Sequence, residues 1–112
     1  MNWYIAKLIF QIESTEAKNQ SQFDEQIRLI EAATEQEALQ KSMSLGEQEQ
    51  HILPDGSRNS VRWNFVHVTE LFKLNQLADG AEIYYKITEP ENPKRYLDSI
   101  AKKAKLIQLS LA

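Results

Sequence analysis

The sequence predicts an α+β fold: a two-layer domain in which a four-stranded, mainly antiparallel sheet carries two helices on one face, in the order ββαββα. Three observations predict it. Apolar residues alternate across residues 2–13 with the period of a half-buried strand. Thr34-Glu35-Gln36-Glu37 is a capping box that opens a helical pattern. Asn92-Pro93 has the cap and first-turn chemistry of a second helix near the end of the chain.

In the first strand, Tyr4, Ala6, Leu8, Phe10 and Ile12 fall on one side, and Lys7, Gln11 and Glu13 on the other. Trp3, Ile5 and Ile9 share that second side, and a long apolar outer face calls for a cover or a partner. Residues 14–21 are polar and read as the loop of a long hairpin. A second strand follows over 22–32, with Phe23, Ile27, Leu29 and Ile30 as its apolar members. Its alternation breaks at Leu29-Ile30, which predicts a bulge or a change of face there.

The capping box then starts a helix. The Thr34 hydroxyl can accept from the Glu37 N–H, and the Glu37 carboxylate can reach back to the N–H of Thr34. Ala38, Leu39, Met43 and Gly46 follow at helical spacing, and the helix is expected to end near Gly46 or one turn later. Pro54-Asp55-Gly56-Ser57 is a turn by composition. Ser60 to Phe72, rich in Val, Trp, Phe and Thr, reads as the third strand. Leu74 to Gly80 is a connection closing on Asp79-Gly80. Ala81 to Thr88 is expected as the fourth strand, with Ile83, Tyr85 and Ile87 opposite Glu82, Tyr84 and Lys86. The last helix is expected over Pro93–Lys105, with Leu97, Ile100, Ala101 and Ala104 on one stripe. The tail from Leu106 to Leu111 alternates and can pair as an edge strand, within the fold or across a dimer.

The chain's 112 residues fit one domain, with a core over about 1–90 and a C-terminal helix and tail over 91–112. With 42% hydrophobic and 26% charged residues the composition is that of a soluble globular protein. The absence of cysteine excludes a disulfide framework, a thiol nucleophile and a thiolate zinc site. The N-terminus has no basic region or small-residue cleavage site, and no apolar run approaches the roughly 18–20 residues that cross a bilayer. A cytoplasmic protein with no membrane partner is therefore expected.

Neither histidine sits in a catalytic motif. His51 lies among Glu47, Glu49 and Asp55, but these residues span a helix end and a turn, and a solvated acidic surface is the reading taken over a metal site. His67 lies near Trp63, Phe65 and Thr69, where it is either a packed strand residue or a general base in an aromatic pocket. The three glycines fall at turns or helix ends and cannot build a phosphate cradle. No cofactor is expected.

Residues 90–112 carry five cations and two acids, whereas the first 89 carry eight cations and fourteen acids. A basic terminal helix can touch phosphates or an acidic partner, but three of its lysines suit the helix dipole and the overall charge of −3 is wrong for a phosphate binder. No nucleic-acid partner is expected. Aromatic residues on strands are a further feature. If Trp3 and Tyr84 both point outward, they form a sticky patch with Ile5 and Ile9; alternatively, the helices or the tail cover them.

Several of these segments together resemble a known family. They are Asn2 to Leu8, Phe23 to Ala32, Val61 to Phe65, Val68 to Leu71 and Leu77 to Tyr84, and the family is the bacterial domain of unknown function 4288. The resemblance covers about residues 1–90. It implies a small stand-alone bacterial domain and carries over no reaction, ligand or catalytic residue. The expectation is then a non-enzymatic interaction module, a homo-oligomer or the partner of another protein, binding through Trp3, Ile5, Ile9 and Tyr84. The alternative is a small-ligand-binding or enzymatic domain with an aromatic pocket at Trp63, His67 and Tyr85.

Overall fold

A computed structural model describes residues 1–14, 21–54 and 60–112, together with the side chains of these residues outside 51–60. The elements are β1 (Asn2–Ser14), β2 (Gln22–Ala32), α1 (Glu35–Gln48), β3 (His51–Pro54), β4 (Ser60–Leu74) and α2 (Pro93–Leu111). The long strands β2, β1 and β4 form an antiparallel sheet with β1 in the middle, and the four-residue β3 pairs along the far side of β4. The expected hairpin loop at 14–21 and the turn at 54–57 lie largely outside the described residues.

The core forms where the even-numbered side of β1 meets α1. Tyr4, Ala6, Leu8 and Phe10 are buried there with Ile30, Ala32 and Ala38, and Leu45, Trp63, Phe65, Val68 and Leu71 pack against them. α1 meets this layer with small residues: its buried positions are Ala38, Ser42 and Gly46, one turn apart. Leu39 and Met43, expected on that stripe, are exposed at its rim. Ser42 satisfies its buried hydroxyl by donating to the Ala38 carbonyl at 2.7 Å. The small stripe lets the helix approach closely, because a Cβ on Gly46 would overlap the Phe65 ring.

Both helix starts follow the expected chemistry, with one change. Thr34 Oγ1 accepts from the Glu37 N–H at 3.1 Å, but the Glu37 carboxylate accepts from Ala33 N–H at 3.3 Å, one residue before the expected Thr34. Asn92 Oδ1 accepts from the Arg95 N–H at 3.0 Å, with Pro93 in the first turn.

The strands differ from expectation in where their irregularities fall. β1 and β2 pair without a break from Asn2–Ala32 to Ile12–Gln22, so there is no bulge at Leu29-Ile30. The bulges are in β4. The register shifts between Ile9 and Phe10, where Val66 is the extra residue, and between Lys7 and Leu8, where Thr69 is extra. Each extra residue reverses the side on which the strand's side chains project, so the core-facing positions of β4 run Val61, Trp63, Phe65, Val68, Leu71.

Two features of the predicted architecture are corrected. Residues 81–92 contain no strand: Ala81–Thr88 is an irregular segment, and the sheet's short fourth member is β3, which precedes β4. In the Ala81–Thr88 segment the adjacent Tyr84 and Tyr85 rings both lie against Phe72, with centroids 6.2 and 6.4 Å away. Nor do two helices share a face: among the described residues α1 packs on the sheet, whereas α2 contacts no strand and no part of α1, and none of its residues is buried. The tail from Leu106 to Leu111 is helical too, since no glycine or proline interrupts the chain after Lys105 and Leu, Gln and Ser extend the helix readily.

Candidate functional site

β2 carries its apolar residues on the side away from the packed helix. With the register unbroken, Phe23, Ile27 and Leu29 project from the sheet's outer face, opposite α1, where they are 59%, 47% and 45% exposed. On the inner side the first half of the same strand carries a polar ladder that runs to the C-terminal end of α1. Gln26 donates to Asp24 at 2.6 Å, Arg28 donates to Gln26 at 2.8 and 3.1 Å, and Arg28 also pairs with Glu49 at the end of α1. Over residues 22–28 the sidedness is therefore inverted relative to a strand that packs under a helix, whereas Ile30 and Ala32 at the other end of β2 are buried in the core with Ala38.

The outer face has two halves. At one end, Ile5 and Leu74 are buried (4% and 5% exposed), with Phe72 opposite Ile5 and the Tyr84 and Tyr85 rings against Phe72. Across the β1–β2 ladder Leu29 faces Ile5, Ile27 faces Lys7, Glu25 faces Ile9 and Phe23 faces Gln11, and the half-buried Ile9 lies toward the other end. Lys7 stands between them, 20% exposed, with its ammonium 3.4 Å from Glu25 and 3.4 Å from Glu70. Burial alone would lower the Lys7 pKa, but the hydrogen bonds and attraction of Glu25, then of Glu70, hold it above the ordinary lysine value.

Of the four residues expected in the partner patch, Ile5 is interior and Tyr84 is half-buried against Phe72. Trp3 and Ile9 are half-buried on the outer face, and Trp3 and Leu29 also border an open groove of about 730 Å³ along the β2 edge of the sheet, whose other wall is Lys41 and Leu45 of α1. Sequence reasoning missed Phe23, Ile27 and Leu29 as an exposed row. The signal was present, since odd positions of an unbroken strand share a face, but a bulge was assigned to the place where the strand simply has apolar residues on both sides.

The residues of the expected pocket are not brought together. A regular strand would put Trp63 and His67 on one side, but the extra residue Val66 turns His67 outward opposite Ile9, while Trp63 faces the core layer opposite Ile12. Tyr85 is 68% exposed beside Phe72. The expected acidic cluster around His51 includes side chains outside the described residues. Among the described residues, no three His, Cys, Asp or Glu side chains are grouped as a metal site. No described helix is long and apolar enough to cross a membrane.

A family model described as a domain of unknown function (DUF4288) matches residues 3–85. The chain belongs to this family. The DUF4288 match takes in the whole sheet, α1 and the segment that carries Tyr84 and Tyr85, and α2 lies beyond it. No curated protein and no solved structure matches the chain.

Proposed function

We propose that this DUF4288 chain is a non-enzymatic protein-interaction module that self-associates. The supporting observation is the amount of surface it presents: 9103 Å², against the roughly 6300 Å² that a compact folded chain of 13.0 kDa exposes. A standard interface removes about 800 Å² from each partner, and obligate dimers remove more. The excess is of a size that association can cover.

Where the surface lies supports the same reading. Ile27 and Leu29 are adjacent and exposed on the sheet's outer face, with Phe23 beyond Glu25 on the same face, and Leu97, Ile100, Ile107 and Leu111 are exposed along α2. Isolated exposed apolar residues are ordinary, whereas contiguous rows mark interaction surfaces. The accessible part of the expected patch is then Trp3 and Ile9 together with the β2 row, and Ile5 supports it from below.

Sedimentation velocity on the purified chain tests the reading. The wild-type protein should sediment at a multiple of 13.0 kDa. Ile27→Glu, at an exposed position, should keep the far-ultraviolet circular dichroism of the sheet and return the mass to one chain. A wild-type chain that stays at 13.0 kDa throughout the micromolar range contradicts the proposal.

A further inference from the structure

We infer that α2 of one copy docks across the exposed Phe23–Ile27–Leu29 row of a second copy, and that the two copies exchange their helices reciprocally. The inference rests on the self-association reading and names the surfaces that meet.

α2 has the makings of one half of such a contact. Leu97, Ile100, Ala104, Ile107 and Leu111 recur at steps of three, four, three and four residues, which places them along one side of the helix. All four large members of this row are exposed. Nineteen residues of helix extend about 28 Å at 1.5 Å each, and eleven residues of β2 about 36 Å at 3.3 Å each, so the helix can lie across the full exposed row.

Charge selects the partner. α2 carries Lys94, Arg95, Lys102, Lys103 and Lys105 against Asp98 alone, and on a helical projection Lys103 borders the apolar row on one side and Lys94 and Lys105 on the other. The sheet's outer face carries Glu13, Glu25, Glu31 and Glu70 against Lys7 and Arg62. Residues 1–89 as a whole hold fourteen acids and eight cations. The same three-and-four spacing also suits a coiled coil of two α2 helices, but that pairing would bring ten cations together with two acids. A second copy's sheet provides both the apolar row and the opposite charge. Among the described residues α2 touches no strand of its own chain, so the exchange between copies satisfies both unpartnered surfaces. It also closes into a two-fold dimer, the commonest symmetric assembly.

The chain has no cysteine, which makes a crosslinking test clean. Ile27→Cys and Ile100→Cys are prepared as separate full-length proteins, mixed in equal amounts and treated with a short bismaleimide. A covalent dimer should form in the mixture and in neither protein alone. Ile100→Glu should raise the dimer dissociation constant about 30-fold or more, the size of an interface hot-spot loss. A crosslinked dimer from Ile100→Cys alone would mean that helix pairs with helix, and one from Ile27→Cys alone that sheet pairs with sheet; either overturns the inference. So does a protein carrying both cysteines that crosslinks only within itself. A dimeric mass with no crosslink in the mixture removes this docking and leaves self-association standing, whereas a monomeric mass removes both.

Discussion

Gly46 is where the close approach of α1 to the sheet depends on a single hydrogen atom. A methyl group there would overlap Phe65, whose ring is itself held against Phe10 at a centroid distance of 5.7 Å. Alanine gains about 1 kcal/mol of helix propensity over glycine, but overpacking a filled layer costs about 1–3 kcal/mol. Gly46→Ala should therefore lower the urea midpoint with the slope unchanged, and an unchanged or raised midpoint would show that the ring yields freely. Thr34→Ala removes the acceptor for the Glu37 N–H and should cost about 1 kcal/mol in the same assay. Lys7 makes a pH-dependent contribution. Its pKa is raised in the folded chain, so its stabilisation is fully present below the ordinary lysine value of about 10.4 and is lost as pH rises through the raised value. The stability difference between wild type and Lys7→Met should be level from about pH 6 to 9 and shrink above about pH 10. At this scale the sequence was legible where chemistry is local. The Thr34 and Asn92 caps are chosen by the oxygen they offer to the next turn, whereas the role of Gly46 depends on a ring nineteen residues away in the chain.

At the scale of elements, alternation is informative only while the register holds. β1 alternates as expected because it is paired on both sides along its length, and its even-numbered residues form the core. β4 was located within two residues at its end, yet its bulges at Val66 and Thr69 decide which of Trp63 and His67 faces the core. No residue type in that stretch announces a bulge, so the expected pocket could not be checked from sequence. Ala81–Thr88 shows the converse case: it alternates yet pairs with no strand, and its Tyr84 and Tyr85 rings lie against Phe72. α2 was found from its cap and stripe, while its lack of a partner within the chain was not visible in the stripe itself. That lack has a consequence. A helix without tertiary packing has only its propensity and cap to hold it, and such helices are marginal in water. In the Ile27→Glu protein, amide hydrogen exchange over residues 93–111 should become fast while β1 stays protected. Equal protection of α2 in both proteins would show that it is stable undocked.

The whole molecule is extended. Its radius of gyration of 18.2 Å exceeds the roughly 13 Å of a compact domain of 112 residues, in line with its large accessible surface. The charge division between the first 89 residues and the rest is written in the sequence. β2 buries Ile30 and Ala32 under α1 and leaves Phe23, Ile27 and Leu29 exposed on the opposite side of the sheet. A native mass spectrum of the full chain, recorded from a volatile buffer at low micromolar concentration, tests the account most directly. The account predicts a dominant species at twice 13.0 kDa, reduced to one chain by Ile100→Glu. A dominant species at 13.0 kDa, or a dimer that Ile100→Glu leaves intact, would contradict it.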